Sequence, residues 1–300
     1  MADDTLRVEH ETEGEFAGVA TLWLDQPGRP VVVLDEALIH AIDRTLDTIP
    51  ETIRGLVLAS ASERSFVAGA DLKGISQLDD PSLHAYLKLG ARVFARFATA
   101  HYPTAAAVQG AALGGGLELA MHCDAVIGAP NPSGKPYPVG LPEAGLKICP
   151  GWGGTNLLPA RIEPADAIRR TATGSPMNYD EAVNARFFDT VAPAPDALLE
   201  TAKRWVSENQ SGAGRTRDGA PTHWIGRGGV KPAALDALDE VRAELGDDEP
   251  AASVLDAVEV GLTQGWNAAL QAERDHLVRL RSTRPAVDAI AAFFARSAKK

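Results

Sequence analysis

Apolar and polar positions along the chain fall into blocks that predict strands alternating with helices. Residues 35–48 and 82–99 repeat apolar side chains at helical spacing and predict two helices. Four short apolar runs predict buried strands, at residues 16–24, 55–60, 105–109 and 124–129. This alternation predicts an α/β architecture in which crossover connections join the strands.

The strand pattern fades after residue 160, and helices are predicted from there onwards. Pro164 begins one helix, and Asn178 with Glu181 three residues later forms a capping-box pattern for the next. Residues 209–231 are rich in glycine and arginine and predict a long loop. Three further helices are predicted near residues 231–243, 251–281 and 285–297.

The longest of these predicted helices carries a continuous apolar stripe, formed by Leu255, Val258, Leu262, Trp266 and Leu270. Such a stripe must pack on the body of the protein or on another subunit. We therefore predict a core at residues 1–205 and a helical C-terminal region at residues 206–300.

The composition is that of an acidic globular protein. The 300 residues carry a formal net charge of -11, which argues against nucleic acid as a partner. The acidic start of the chain lacks the basic and apolar segments of a signal peptide. No run approaches the roughly 20 apolar residues of a membrane helix. We expect no membrane span and a cytoplasmic location.

The cysteines and histidines do not have the spacing of metal ligands. Cys123 and Cys149 form no CxxC pattern and are expected to be small buried residues. Four histidines are scattered without ligand spacing, at His84, His101, His122 and His223. We expect no metal site.

Two glycine-bearing turns follow predicted strands and can present backbone N–H groups to a ligand. The first turn spans residues 68–71, and Ala70 is its natural donor. The second spans residues 114–116, and its Gly115 would begin a helix whose positive end favours an anion. Two N–H groups directed at one oxygen form an oxyanion hole, and each is typically worth roughly 10²–10³ in rate. This pair predicts stabilisation of a thioester enolate.

Two glutamates are expected beside these turns. Glu118 lies one helical turn beyond Gly115, on the same helix face. Glu143 follows 25 positions after Glu118 (143 − 118), and Pro142 fixes the backbone just before it. Two carboxyl groups flanking a water can deprotonate it and supply a proton to carbon, help worth about 10²–10⁴ in rate. Burial and like charge would raise the pKa of at least one of them.

Four segments, in this order, resemble the crotonase superfamily, the enoyl-CoA hydratases and isomerases. They are residues 66–73, 109–120, 140–143 and 150–155. The resemblance implies a crotonase-like core, a spiral of ββα turns, with a helical C-terminal part that often trimerises. Asn156 and Leu157 depart from the Gln-Arg pair that is more frequent in the family after Gly-Gly-Thr.

The resemblance also implies roles for particular residues. Ala70 and Gly115 would be the oxyanion-hole donors, and Glu118 and Glu143 would be the catalytic pair. Contacts to substrate or coenzyme A are implied for Ala68, Ala70, Asp71, Leu72, Lys73, Gly114, Gly115, Pro142, Gly151 and Trp152. Coenzyme A would be part of the substrate, and no separate cofactor is implied.

Three further segments narrow the resemblance to the hydratase part of multifunctional fatty-acid oxidation α-subunits. Residues 129–135 form a longer link than many single-activity hydratases have, and residues 258–265 and 290–294 resemble the linker after that part. The sequence has no strand followed by GxGxxG and a helix. The NAD-dependent dehydrogenase part of those proteins is therefore not expected.

Three functions follow from these residues. The first is hydration of a 2-trans-enoyl-CoA to a 3-hydroxyacyl-CoA, without metal or redox cofactor. The second is isomerisation of a 3-enoyl-CoA to the 2-enoyl form, or another reaction through an acyl-CoA enolate. The third is a non-enzymatic scaffold subunit of a β-oxidation complex. The expected partners are an acyl-CoA thioester and either further copies of the chain, as a trimer or a multiple of it, or other β-oxidation enzymes.

Overall fold

Two sheets form the centre of the computed structural model, which describes residues 5–210, 218–245 and 248–297. The strands in chain order are β1 (Val8–His10), β2 (Val19–Leu24), β3 (Gly55–Ser60), β4 (Ser65–Val67), β5 (Thr104–Val108), β6 (Ala111–Leu113), β7 (Ala125–Gly128), β8 (Pro138–Gly140), β9 (Met177–Asn178) and β10 (Thr190–Val191). The larger sheet has the order β1-β2-β3-β5-β7-β10, and the smaller has the order β4-β6-β8-β9. Pairing is parallel except for β1 with β2 and β8 with β9.

Helices surround both sheets and form the C-terminal region. They are α1 (Glu36–Thr48), α2 (Leu72–Gln77), α3 (Asp80–Thr99), α4 (Gly115–His122), α5 (Gly154–Leu157), α6 (Pro164–Thr173), α7 (Tyr179–Asn184), α8 (Leu198–Glu208), α9 (Lys231–Leu245), α10 (Glu249–Gln264), α11 (Trp266–Leu280) and α12 (Arg284–Ser297). The chain places β3, β5 and β7 in the larger sheet and each following strand, β4, β6 and β8, in the smaller. This alternation is the predicted ββα spiral, and the α/β prediction is confirmed.

Local sequence signals mark several helix ends as predicted. Pro164 is the first residue of α6, where its missing N–H is not needed. Asn178 caps α7 by accepting from the N–H of Glu181, whose carboxylate accepts from the N–H of Asn178. Of the loop predicted over residues 209–231, the structure describes residues 209–210 and 218–230 without helix or strand, and Lys231 already begins α9. Residues 211–217 lie outside the described residues.

The prediction of one helix over residues 251–281 is wrong, because α10 and α11 are separate helices. Gly265 has φ +93°, outside the range of helical residues, and it ends one helix and starts the next. Its N–H donates to Gly261 O, and its own carbonyl accepts from Ala269 N. The apolar stripe continues across the break and is buried, so its period gave no sign of the interruption.

The C-terminal helices pack mainly on other helices of the core. Helix α10 contacts α5, α6 and α9, whereas α11 contacts α3 and α5. An apolar cluster joins α10, α11 and α12 to the chain just before α5, through Ile148, Cys149, Ala172, Ala251, Val254, Leu280, Ala286 and Ile290. The division at residue 205 stays a prediction.

Helix α10 approaches α5 tightly at Gly261, where alanine is expected to destabilise the fold. A Cβ added to Gly261 would lie 1.7 Å from Asn156 Oδ1. Overpacking of this kind typically costs about 1–3 kcal/mol. Urea unfolding of Gly261→Ala should show this loss in the free energy of unfolding. Gly229→Ala is the control, because its Cβ would meet no atom within 4 Å; equal stability of the two variants would contradict the packing.

Candidate active site

A cavity of about 290 Å³ lies where three parallel neighbours of the smaller sheet end. Because β4, β6 and β8 run parallel, the segments that follow them emerge at the same edge. Ten of the residues predicted from four separate segments line this cavity: Ala68, Ala70, Leu72, Gly114, Gly115, Glu118, Pro142, Glu143, Gly151 and Trp152. The structure therefore brings together almost all of the predicted site residues.

Two predicted contact residues, Asp71 and Lys73, do not line this cavity. Asp71 lines a separate cavity beside Asp35 and Tyr86. Lys73 lines a neighbouring groove of about 750 Å³ that also includes Arg281. Both residues follow the turn of Ala70, but the start of α2 carries them away from the cavity. Their predicted contacts with coenzyme A stay predictions.

The N–H group of Ala70 faces away from the strand segment that pairs with it. Leu34 donates to Gly69 O at 2.9 Å and accepts from Asp71 N at 3.0 Å, so both of its backbone groups are used by the neighbours of Ala70. In a parallel bridge of this kind, the N–H of the residue between those neighbours points to the opposite side. No hydrogen bond among the described residues uses the N–H of Ala70.

The N–H group of Gly115 is also available. Gly115 is the first residue of α4, where a backbone N–H has no acceptor within the helix. Gly114 has φ +51°, and its own N–H donates to Gly140 O at 2.9 Å. Two amides from two turns thus border one cavity, and each belongs to a residue that lines it.

The glycines at the start of α4 are required by close contacts. A Cβ on Gly115 would lie 2.3 Å from Trp152 Cζ3, and one on Gly116 would lie 2.4 Å from Val67 O. A Cβ on Gly114 would lie 2.3 Å from Glu143 Oε1. The carboxyl group of Glu143 therefore rests against the backbone that precedes the N–H of Gly115.

Glu118 is buried on α4, with 1% of its surface exposed. Its Oε1 accepts from Trp152 N and Gly154 N, both at 2.8 Å. Burial raises the pKa of Glu118 well above its usual value, the charges of Glu273 and Glu143 raise it further, and the two N–H donors oppose the rise. The amide donors favour the carboxylate form at this position.

Glu143 begins the 3-10 turn Glu143–Leu146 after β8. Its Oε2 is enclosed and has no hydrogen-bond partner among the described residues. Burial raises the pKa of Glu143 to about 8, and the charge of Glu273 contributes to the rise. Glu143 is therefore largely protonated at neutral pH. Two buried carboxyl groups with raised pKa values therefore face the same cavity, and acid–base catalysis would use one of them protonated and the other ionised.

Stability should fall as the pH rises through the range set by Glu143. An unfolded glutamate has a pKa near 4.5, and the folded value is about 8, so the folded state binds more protons between these values. Stability is consequently lost as the pH rises from about 4.5 to 8. Between pH 5 and 8, wild type should lose about 3–4 kcal/mol relative to Glu143→Gln in urea unfolding. Parallel pH profiles of the two proteins would contradict this assignment.

A third buried glutamate, Glu273 on α11, lies behind the pair and was missed by the sequence analysis. It is fully buried and accepts hydrogen bonds from the backbone around α5. One signal in the sequence could have found it. Glu273 falls at the helical spacing of the apolar residues Trp266, Leu270 and Leu277, where a charged side chain needs partners.

The remaining walls of the cavity are apolar. They come from Ile75, Leu87, Leu113, Leu146, Ile148, Pro176, Leu277 and Phe293. Leu277 and Phe293 belong to α11 and α12, so the chain's own C-terminal helices cover the cavity. Trp152 donates from its Nε1 to Leu87 O at 2.9 Å, which fixes its ring beside Gly115.

The predicted absence of a metal site rests on the sequence alone. Within the described ranges, no group of three or more His, Cys, Asp or Glu side chains is arranged to hold a metal ion. Cys123 and Cys149 are both buried, as expected, and they do not form a disulfide with each other. Burial lowers the pKa of His122 to about 4, so this side chain is neutral in the fold. No helix in the described part of the chain is both long and apolar enough to cross a membrane.

Comparisons with known proteins identify the family to which the chain belongs. The enoyl-CoA hydratase/isomerase family profile matches residues 14–214. A crotonyl-CoA hydratase from Syntrophomonas wolfei is 33% identical over 205 residues, which is 68% of this chain and 75% of that protein. The fatty acid oxidation complex subunit alpha of Aliivibrio fischeri is 30% identical over 94% of this chain. The chain spans only 41% of that subunit.

Solved structures share the fold over nearly the whole chain. Human mitochondrial delta3-delta2-enoyl-CoA isomerase superimposes with a TM-score of 0.69 at 20% identity, over 98% of each chain. An enoyl-CoA hydratase from Bacillus anthracis gives a TM-score of 0.60 at 24% identity, over 97% of this chain and 96% of that one. The crotonase-like fold is thereby confirmed.

Proposed function

The chain belongs to the enoyl-CoA hydratase/isomerase family, and on this premise we propose that it adds water to a 2-trans-enoyl-CoA to give a 3-hydroxyacyl-CoA. One observation carries the choice of reaction. Glu118 and Glu143 line the same cavity, and both lie beside the turns that present the amides of Ala70 and Gly115. Hydration needs a group that activates water and a group that protonates carbon, and this site has a candidate for each.

The two amides would polarise the thioester. Its oxygen would accept from the N–H groups of Ala70 and Gly115, which have no other acceptor among the described residues. Negative charge would develop on this oxygen as the enolate forms, and each donor of this kind is typically worth about 10²–10³ in rate. The mostly apolar lining of the cavity would lower the local dielectric constant and strengthen both hydrogen bonds.

The two glutamates would divide the proton transfers. Glu118 receives two N–H bonds that favour its charged form, so it would take a proton from the attacking water. The oxygen of this water bonds to carbon three, and the double-bond electrons move onto the thioester oxygen. Glu143, whose Oε2 has no donor among the described residues, would give its proton to carbon two as the carbonyl reforms. Water is consumed in the net reaction, and proton exchange with solvent restores the starting forms.

The substrate would extend in two directions from the thioester. The acyl chain would enter the apolar part of the cavity, next to Leu277 and Phe293. The coenzyme A part would leave past α2 towards the groove that holds Lys73 and Arg281, two cationic side chains suited to phosphate. Coenzyme A would be part of the substrate, and we propose that no metal or redox cofactor takes part.

Loss of the conjugated thioester absorbance tests the proposal. Purified protein should consume 2-trans-enoyl-CoAs of graded chain length and yield 3-hydroxyacyl-CoA by mass spectrometry. Treatment with a metal chelator should leave the rate unchanged. Consumption of a 3-enoyl-CoA only, to the 2-enoyl form, would favour isomerisation instead. If the protein turns over no enoyl-CoA, the proposed enzymatic activity is contradicted and the role of a scaffold subunit is favoured.

Assembly and location are further proposals. We propose a trimer or a multiple of it, or association with other β-oxidation enzymes, in the cytoplasm. The named relatives include subunits of fatty acid oxidation complexes, which supports the second form of association. Light scattering on the purified chain distinguishes a monomer from a trimer.

A further inference from the structure

Glu273 is held by three donors from the segment that also holds Glu118. Its Oε2 accepts from Gly153 N at 2.5 Å, and its Oε1 accepts from Thr155 N at 2.9 Å and Thr155 Oγ1 at 2.5 Å. Asn156 Nδ2 donates to Thr155 Oγ1 at 2.8 Å and to Ala257 O at 3.1 Å. Helices α10 and α11 are thus tied to the start of α5 through polar side chains.

The backbone amides of four consecutive residues are divided alternately between two carboxylates. Those of Trp152 and Gly154 point to Glu118, and those of Gly153 and Thr155 point to Glu273. Gly153 has φ +101°, and this conformation lets successive N–H groups face different acceptors. Two carboxylates therefore hold the turn from opposite sides. A displacement of the Glu273 carboxylate would also displace the N–H groups that donate to Glu118.

We propose that Glu273 is a positioning residue for the hydration reaction, a role that rests on the proposed function. Its carboxylate would fix the turn at residues 152–155 and so fix the orientation of the Glu118 carboxylate towards the cavity. Glu273 itself is buried behind the turn and does not line the cavity. It therefore acts through Glu118 and not on the substrate.

Apolar packing alone does not require a carboxyl group at this position. Apart from Arg274, apolar side chains fill the other buried positions of α11, and burying an ionised group there is costly unless donors compensate. The charge has a consequence for the reaction, because it stands near both glutamates of the cavity. Four titratable or charged groups interact electrostatically with Glu273: Arg274 on its own helix, and Glu118, Glu143 and Cys149 on other segments.

Among these, Arg274 is the only cation, and it lowers the pKa of Glu273 against the rise caused by burial. The charge of Glu273 in turn raises the pKa of Glu118 and of Glu143. Removing the charge of Glu273 should lower the pKa of Glu118 and of Glu143. The carboxyl group of Glu143, which the reaction needs in its protonated form, would then lose its proton at a lower pH. The alkaline limb of the pH–rate profile should move to lower pH.

The test compares Glu273→Gln with Asp275→Asn, which removes a charge from an exposed side chain of the same helix. Glu273→Gln should lower kcat about 10–100-fold, because a displaced carboxylate aligns poorly with substrate. It should also move the alkaline limb down by about one pH unit. Asp275→Asn should leave kcat and the profile as in wild type. An unchanged limb in Glu273→Gln, with stability alone reduced, would overturn the proposal.

Two further measurements test the proposal if Glu273→Gln misfolds or if the protein catalyses a reaction other than hydration. Thr155→Val removes one hydrogen-bond donor to Glu273 and should move the alkaline limb of the pH–rate profile in the same direction by a smaller amount. If Glu273→Gln cannot be purified, an unchanged alkaline limb in Thr155→Val would count against the positioning role of Glu273. Infrared absorption of protonated carboxyl groups needs no substrate. Their signal should disappear at a lower pH in Glu273→Gln than in wild type, even if wild type proves inactive as a hydratase. An identical titration would overturn the inference independently of the proposed function.

Discussion

Glu143→Gln is expected to lower kcat for a 2-trans-enoyl-CoA by roughly 10²–10⁴, with the fold intact. Glutamine keeps the size of the side chain but cannot transfer the proton that carbon two requires. Because Oε2 of Glu143 has no hydrogen-bond partner among the described residues, its replacement breaks no bond there. Steady-state kinetics, with circular dichroism to check folding, measure this effect.

Glu118→Gln should be comparably impaired, because hydration uses both carboxyl groups. The N–H groups of Trp152 and Gly154 both donate to Oε1, so glutamine can keep these bonds through its own Oε1 while losing the ability to take a proton from water. Glu51→Gln is the matched control, since Glu51 is exposed and remote from the cavity. A large loss from only one of the two active-site variants would indicate a single-carboxylate shuttle and favour isomerisation.

Gly114→Ala is expected to lower kcat/KM about 10²–10³-fold. Its Cβ would lie 2.3 Å from Glu143 Oε1, so either the carboxyl group or the backbone before the Gly115 N–H must shift. Either shift misaligns a group on which the reaction depends. The positive φ of Gly114 adds a stability cost of about 1–2 kcal/mol for any residue with a Cβ.

Gly134→Ala separates these two effects. Gly134 has φ +69°, so alanine meets a similar backbone cost there, but its Cβ would have no atom within 4 Å. We expect Gly134→Ala to lose stability and keep its kinetics, while Gly114→Ala loses both. Wild-type kcat/KM in a folded Gly114→Ala protein would contradict the placement of the Glu143 carboxyl group.

The convergence of distant segments could be predicted because it follows from strand direction. Residues 68–71 and 114–116 each follow a strand, and parallel neighbours end at one edge. The prediction that Glu118 and Glu143 lie close together then rested on two local features. Glu118 lies one helical turn after Gly115, and a proline fixes the backbone just before Glu143. The structure places both acids on one cavity, and their roles stay predictions.

The features that the sequence analysis missed depend on tertiary packing. Gly265 interrupts a helix without disturbing the apolar period, so pattern alone could not show the break. Glu273 has no motif, and its partners, Gly153 and Thr155, lie more than a hundred residues earlier in the chain. Lys73 lies outside the cavity because of the path that α2 takes, which the local sequence does not specify.

The most direct test of the central claim is the mass of the product formed from a 2-trans-enoyl-CoA in water enriched in ¹⁸O. If the amides of Ala70 and Gly115 hold the thioester while the two glutamates deliver water, the product is a 3-hydroxyacyl-CoA carrying the heavy oxygen at carbon three. Unchanged substrate, or an isomerised enoyl-CoA without the heavy oxygen, would contradict the account.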